Sequence, residues 1–194
     1  MDMKEEFLDI FYDNVDRDGA DNLLEWLEKS DFFTAPASTR NHSNFEGGLC
    51  EHSVKAYKRY IKLLECEYGK NWEKVISKES ATIIALLHDV CKVNNYAVDY
   101  RNVKVGDRWE KKPYYKTEDA LPYGHGEKSV YIISSFIKLT REEAMAINWH
   151  MGAFDMRAQN GGYILYNAFK RFPTALLFHI ADLQTTYIDE EVVE

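Results

Sequence analysis

Six side chains of metal-ligand type recur along this chain: His52, the adjacent pair His88-Asp89, His125, His150 and Asp182. Imidazole nitrogens and carboxylate oxygens suit borderline or hard divalent metals, and an adjacent His-Asp pair offers both at one point. Six such groups exceed what one tetrahedral ion needs, and they approach what two neighbouring ions take when one carboxylate bridges them. These residue types therefore favour a hydrolytic metalloenzyme.

The His-Asp pair has the most informative context. His88 and Asp89 end a strongly apolar segment, where an unpaired ionised carboxylate would be costly to bury. A metal ion would neutralise Asp89 at that position. Lys92, three residues later, offers a plain ion pair as the alternative.

The other histidines also lie at expected helix ends. His52 follows two glycines at the start of a predicted helix, where the neutral imidazole that binds metal is favoured. A glycine on each side of His125 permits close backbone approach to a metal or ligand. His150 ends a predicted amphipathic helix, and Asp182 shares a helical face with His179.

The hydrophobic pattern predicts that mostly helical elements position these residues. Helices are predicted over 3–14, from about Asp18, and over about 49–68, with an ordered aperiodic loop over 31–48. Ser77 or Ser80 should begin the helix that leads to the His-Asp pair. Its almost continuous apolar face indicates a buried central helix.

The second half of the chain carries clear helix-start signals. Helical pattern resumes after Gly124, and Thr140 with Glu143 forms a capping-box signature. Pro173 suits the first turn of a last helix. That helix is expected to present four residues to the core, namely Leu176, Leu177, Ile180 and Leu183.

The segment 95–116 differs from its surroundings. Valines and aromatic residues alternate there with polar ones around a turn at Gly106, which predicts a β-hairpin. Between residues 101 and 116 there are six basic residues and only two acidic ones, so the segment is a basic arm on an acidic chain. Such an arm fits a small phosphate-bearing ligand, and a solvated polar hairpin is the alternative.

Composition limits the class of protein. The chain has 194 residues and a formal net charge of −8, so its surface should repel long nucleic acid, which is an unlikely partner. It has no apolar run of roughly 18 residues, its three cysteines are scattered, and its first residues lack the basic-then-apolar pattern typical of a secretion signal. We expect one cytoplasmic domain over 1–194 that has no membrane partner, with the N-terminal helices of 1–45 packed on it.

Five short motifs follow one another between about residues 46 and 187. They are Gly48-Leu49-Cys50-Glu51-His52, His88-Asp89-Val90-Cys91-Lys92, Gly124-His125-Gly126-Glu127-Lys128-Ser129, Trp149-His150-Met151-Gly152 and His179-Ile180-Ala181-Asp182. In this order, each at a predicted helix end, they resemble the HD-domain superfamily of metal-dependent phosphohydrolases. The resemblance implies an all-α HD-domain helical bundle, with the β-hairpin as an insertion directly after the His-Asp motif.

The resemblance also assigns ligands. One divalent metal would be held by His52, His88, Asp89 and Asp182. Asp89 would bridge it to a second, whose other ligands would be His125 and His150. Members that bind one metal lack these two middle histidines, so their presence favours two ions, which the residues leave open as Mn, Fe, Mg, Ni or Zn.

The implied reaction is hydrolysis of a phosphate ester. A water activated between the two metals would attack phosphorus, which makes Asp89 essential. Lys92 occupies the position of a lysine that relatives direct at substrate phosphate, and Lys128 and Arg101 are further candidates for phosphate binding. The expected substrate is a small phosphorylated, nucleotide-like molecule or a short oligonucleotide.

Two other functions suit the same residues. Some members of the superfamily hold a mixed-valent di-iron pair in this ligand set and oxidise an organic substrate with dioxygen. A non-catalytic, metal-containing binding module is the third hypothesis. His179 is expected to support a ligand or to pack, and His42 is expected to contact substrate or to be structural.

Overall fold

The computed structural model describes residues 2–40, 43–159 and 162–190. Within these ranges the chain is mostly helical and has a two-stranded antiparallel hairpin, which confirms the expected fold class at this level. The helices are α1 (Met3–Asn14), α2 (Ala20–Lys29), α3 (Gly48–Tyr68), α4 (Lys78–Leu87), α5 (His125–Ser134), α6 (Arg141–Asn148), α7 (Met156–Gln159), α8 (Ile164–Arg171) and α9 (Pro173–Gln184). The strands are β1 (Tyr96–Val105) and β2 (Arg108–Thr117). None of the described helices combines the length and apolarity needed to cross a bilayer.

The first helix has the predicted bounds, and the second begins slightly later than predicted. Phe7 and Phe11 of α1 are buried against α3 and α4. The residue before α2 is Gly19 rather than Asp18, and its φ of +88° lies in the left-handed region. A Cβ atom at Gly19 would lie 2.0 Å from the carbonyl oxygen of Phe136, so only glycine fits this close approach.

The central helix α4 is buried as predicted. The side chain of Ser77 caps it by accepting a hydrogen bond from the Ser80 amide, at 3.0 Å. Every residue from Ala81 to Leu87 is buried, and α3 and α6 pack against this helix. His88 ends α4, and the chain then makes one 3-10 turn over Val90–Lys92. The His-Asp pair therefore lies deep in the molecule.

Helices α5 and α6 pack closely at the ends that carry the site. Thr140 and Glu143 form the predicted capping box, with both reciprocal hydrogen bonds present. A Cβ atom at Gly126 would lie 2.2 Å from the carbonyl oxygen of Asn148. The glycine after His125 was expected to allow close approach to a ligand, but it allows close contact with the α6 backbone instead. This contact brings the start of α5 to the end of α6.

The last helix begins at Pro173 as predicted, but its buried face is different. Its fully buried residues are Thr174, Ala175, Phe178, Ala181 and Asp182. Three of the residues expected in the core are half-buried, namely Leu177, Ile180 and Leu183, and the fourth, Leu176, is 39% exposed. The sequence pattern misleads here because the face that packs against α3 and α6 is the one with smaller side chains, among them the alanines and Asp182.

The hairpin begins directly after the His-Asp turn, close to the predicted bounds. Its register pairs Tyr96 with Thr117 at the base and Val105 with Arg108 beside the turn. Most of its residues are exposed. The two strands therefore gain most of their contacts from each other and extend away from the helices.

Candidate metal centre

The six expected ligand residues converge on one buried cluster. His52 lies in the second turn of α3, and His88 and Asp89 follow α4. His125 is the first residue of α5, His150 follows α6, and Asp182 lies near the end of α9. All are buried except His125, whose side chain is 33% exposed. Residues that are up to 130 positions apart thus meet because five helices place their ends or faces at one point.

Asp89 lies between two pairs of imidazoles. Its Oδ2 atom is 3.6 Å from Nε2 of His52 and 3.5 Å from Nε2 of His88. Its Oδ1 atom is 2.8 Å from Nε2 of His125 and 3.5 Å from Nε2 of His150. The two oxygens of one carboxylate therefore face different sets of nitrogen donors, as a bridging ligand requires.

Asp182 completes the cluster on the His52 side. Its Oδ1 atom lies 3.1 Å from Nε2 of His52 and 3.8 Å from Nε2 of His88. Three overlapping sets of donor atoms lie within 4.8 Å of one another: His52-His88-Asp89, His88-His150-Asp182 and Asp89-His125-His150. These buried groups could hold a metal ion.

Two of the histidines are oriented by the backbone. Nδ1 of His88 donates a hydrogen bond to the Ala85 carbonyl at 2.9 Å, and Nδ1 of His150 donates to the Ile147 carbonyl at 2.6 Å. In the neutral form of each ring, these bonds leave Nε2 as the unprotonated nitrogen that faces the cluster. Metal-binding histidines in proteins typically use their second nitrogen in this way.

The chain near the carboxyl terminus supplies a third such contact. Nδ1 of His52 donates to Oε1 of Glu190 at 2.8 Å, and the Glu190 side chain is fully buried. Asp189 pairs with Arg59, and its carbonyl accepts a hydrogen bond from Lys55 at 3.1 Å, so this segment is held against α3. Sequence reasoning missed Glu190 because it follows the last periodic helix and belongs to no motif.

The donor set fits a divalent cation. Nε2 of His150 is buried and, among the described residues, has no hydrogen-bond partner. A buried polar atom without a partner is costly unless a ligand satisfies it. A nitrogen in this position, beside a carboxylate and three other imidazoles, is the chemistry of a metal ligand.

Burial and charge act differently on the imidazoles. Burial lowers the pKa of His88 and His125, which favours the neutral form that binds metal. Burial also acts to lower the pKa of His52, but hydrogen bonds to Asp182 and Glu190 outweigh it and raise that pKa to about 10. The neutral His52 expected from its helix position is therefore wrong in this environment, because two carboxylates exceed the effect of the helix terminus.

The aspartates and Lys92 are ionised. Burial would raise the pKa of Asp89, but the charge on Lys92 holds it well below its usual range. Nζ of Lys92 lies 2.6 Å from Oδ2 of Asp89, so the ion pair considered for this lysine is present. The pair occupies one oxygen of Asp89, and the second carboxylate, Asp182, faces imidazoles instead.

The cluster forms the floor of a cavity of about 600 Å³. This volume falls within the range of small-ligand sites in proteins. Its walls include Tyr96 of the hairpin, whose ring could either stack on a ligand or pack, together with Arg40, Phe154 and Tyr187, which carried no sequence signal for a ligand contact. Arg40 comes from the aperiodic loop between α2 and α3, where no hydrophobic period indicates which side chains turn inward.

The residues predicted to bind phosphate do not all reach this cavity. Lys92 lines it. Lys128 is buried elsewhere, with Nζ 2.6 Å from Oδ1 of Asp119. Arg101 lies on the exposed hairpin, over the ring of Tyr114. Of the three cations predicted to bind phosphate, the structure therefore places only Lys92 beside the cluster of histidines and aspartates.

His179 supports a ligand residue, as its helical position suggested. Its Nδ1 donates to the carbonyl oxygen of His150 at 2.5 Å, and its ring stacks on Phe169. A Cβ atom at Gly152 would lie 2.4 Å from the His179 ring, so glycine is required there. His42, the other histidine considered for a role at the site, lies outside the described residues.

Comparison of the chain with family models, curated proteins and solved structures found no match. The case for a function therefore rests on the residues and the geometry of the cluster.

Proposed function

We propose that the chain is a metal-dependent phosphohydrolase of the HD-domain type, which binds two divalent ions and hydrolyses a nucleotide, another small phosphate ester or a short oligonucleotide. The observation that carries the proposal is the position of Asp89. Its two oxygens face separate pairs of imidazoles on the floor of a cavity. A structural metal site is typically closed, whereas this cluster is open on one side to a space that can hold a substrate.

The donor sets suggest which residues would hold each ion. His52, His88 and Asp182 would share one ion with Asp89, and His125 and His150 would share the other with it. Bound divalent ions polarise a phosphoryl oxygen and make water a stronger nucleophile near neutral pH. The chain itself fixes the ligand directions, through the Nδ1 hydrogen bonds, before any substrate arrives.

Lys92 is the best-placed residue to bind substrate phosphate. It is ionised, lines the cavity and lies 2.6 Å from the bridging carboxylate. A cation held in a site with little water stabilises negative charge more strongly than one in bulk solvent. Arg40, on the wall of the same cavity, provides a second guanidinium for a larger or more highly charged phosphate.

The proposal is tested by hydrolysis assays on the wild type and two variants, with Mn²⁺ added. A panel of p-nitrophenyl phosphate, bis(p-nitrophenyl) phosphate and nucleotides would show which ester is cleaved. We expect Asp89→Ala to abolish turnover and Lys92→Ala to reduce it by about a hundredfold or more, as loss of one transition-state charge contact does. Lys29→Ala, which removes an exposed lysine on α2, is the control and should retain turnover. Oxygen consumption without phosphate release would instead indicate the di-iron oxygenase.

A further inference from the structure

The two faces of the hairpin carry the same net charge but differ in their side chains. Side chains alternate between the faces along each strand, and paired residues share a face. We call one face the track face; it bears Tyr96, Tyr100, Lys104, Trp109, Lys111 and Tyr115. The strand acids, Asp99 and Glu110, lie on the opposite face. The track face therefore combines aromatic rings with lysines and bears no carboxylate.

Contacts between the strands agree with this division. Nζ of Lys111 lies 5.0 Å from the centre of the Tyr100 ring on the track face. On the other face, the Arg101 guanidinium lies 5.5 Å from the Tyr114 ring, and the Tyr114 hydroxyl donates to Asp99. The other face thus mixes its cations with acids and one tyrosine ring, while the cations of the track face lie among rings and no acids.

The track face is continuous with the cavity. Tyr96 and Thr117 pair at the base of the hairpin, and both line the cavity above the metal cluster. From this pair the ten-residue strands extend for about 33 Å, at about 3.3 Å per residue. A chain-like ligand that followed the track face would reach the cluster with its end.

The rings of the track face are available to a ligand. Tyr100 is 55% exposed and Trp109 is 70% exposed. More than half of each side chain is therefore open to contact with a ligand, whose bases would gain from stacking on it. Exposed rings interleaved with lysines can stack on unpaired bases while the cations contact phosphates, which is how single-stranded nucleic acid is bound without sequence preference. A duplex would hide its bases from these rings.

We infer that the track face binds a short single-stranded oligonucleotide and leads its end into the cavity. This inference rests on the proposed function and narrows its substrate class from small phosphate esters in general to single strands. The hairpin carries six Lys or Arg residues against three acids, in a chain with a net charge of −8. Because the hairpin is basic and the chain as a whole is acidic, a polyanion should bind at the hairpin. The remaining surface should repel a long polyanion.

The test is fluorescence anisotropy with labelled oligonucleotides of about ten nucleotides, a length within the range of single-strand binding sites. Single-stranded DNA, the same sequence as RNA, and a DNA duplex are titrated at low salt. We expect the single strands to bind and the duplex to bind at least about fivefold more weakly, because its bases cannot stack. Trp109→Ala should weaken single-strand binding by about fivefold or more, as loss of one stacking ring does.

Two neighbouring lysines provide a matched pair of variants. Lys111 and Lys112 are adjacent, exposed and equally charged, but they point to opposite faces. Lys111→Ala should therefore weaken single-strand binding more than Lys112→Ala does. Equal effects would overturn the inference, since they would show attraction to net charge alone. Failure of the wild type to bind either single strand, or equal binding of the duplex, would also overturn it.

Hydrolysis of bis(p-nitrophenyl) phosphate separates this inference from the proposed function. Single-strand binding that follows the face pattern, without turnover of any phosphate ester, would support the track face and contradict the hydrolase. Turnover of the small ester without oligonucleotide binding would support the hydrolase and overturn the inference.

Discussion

In the metal cluster, the direction of each imidazole depends on the partner of its second nitrogen. His88 and His150 donate to carbonyls three residues earlier in the chain, so their own helices orient them. His52 lies inside α3 and donates instead to Glu190, which is 138 residues away. The cluster therefore depends on at least one contact, that of His52 with Glu190, which local structure does not provide.

This contact gives the first prediction. Glu190→Ala removes the acceptor that fixes His52, so we expect metal affinity to fall by about 10- to 100-fold, as is typical of such outer contacts. Glu190→Gln retains an acceptor oxygen, so the metal affinity of this variant should fall by less. Competition with a coloured chelator measures the dissociation constant, and Glu25→Ala, at an exposed position of α2, is the control. An unchanged affinity in Glu190→Ala would show that His52 is positioned without it.

The raised pKa of His52 gives a second prediction. With a pKa of about 10, this imidazole is protonated at pH 7, and a metal can bind it only by displacing the proton. The metal affinity should therefore rise with pH, by up to about tenfold per unit from this group, and level off as pH approaches 10. Titration calorimetry in buffers of different ionisation enthalpy measures the protons released. Binding without proton release at pH 7 would contradict this state of His52.

At the scale of elements, a cluster around the buried carboxylate of Glu143 joins three helix starts. Arg17, in the loop before α2, donates to Glu79 of α4 and to Glu143 of α6, each at 2.8 Å. Ser80 donates to Glu143 at 2.7 Å. Burial would raise the pKa of Glu143, but the bond from Arg17, then those from Ser80 and the Thr140 amide, lower it from 4.5.

We predict that Glu143→Gln destabilises the protein by about 3 kcal/mol at pH 7, since it breaks a buried ion pair by removing one charge. The folded pKa is below the unfolded value, so the carboxylate stabilises the fold above pH 4.5 and this contribution is lost as pH falls further. Urea unfolding at pH 7 and at pH 4 measures the difference. Glu28→Gln, which breaks an exposed pair with Lys4, should cost under about 1 kcal/mol. A loss in Glu143→Gln that persists unchanged at pH 4 would contradict this account.

Helix starts could be predicted from the sequence because their signals are local. Ser77 and Thr140 accept hydrogen bonds from amides within one turn, Pro173 has a ring that fixes φ for the first turn, and the structure confirms all three starts. The buried face of α9 could not be predicted from its leucines, because it depends on which surface α3 and α6 leave for it.

The same division holds for the candidate site. Histidines and aspartates at helix ends were recognisable by type and order, and the structure brings all six together. Arg40 and Glu190 lie in segments without periodicity, where only the folded chain shows their direction. Lys128 has the right residue type beside His125, but Asp119, a neighbour along the chain, holds it outside the cavity.

For the whole molecule, the cluster joins five helices and the segment that follows α9. Its candidate ligands come from α3, α5 and α9 and from the turns after α4 and α6. An ion bound there links parts of the chain that would separate on unfolding, so metal binding should stabilise the fold.

We predict that Mn²⁺ at a hundred times its dissociation constant stabilises the wild type by about 2.7 kcal/mol for one site. Thermal unfolding after chelation and after return of Mn²⁺ measures this as a reversible rise in Tm. Asp89→Ala should show little or no rise. An equal rise in the variant would place the stabilising ion elsewhere on the protein.

The central claim is that Asp89 bridges two ions, and metal content tests it most directly. Elemental mass spectrometry on wild type, on Asp89→Ala and on Asp119→Ala, each purified without added metal and again after loading with Mn²⁺, counts the ions per chain. We predict about two equivalents of a divalent metal in the loaded wild type and in Asp119→Ala, whose carboxylate lies outside the cavity, and the loss of both in Asp89→Ala. One equivalent or none in the wild type, unaffected by the Asp89 substitution and not restored by loading, would contradict the bridged site.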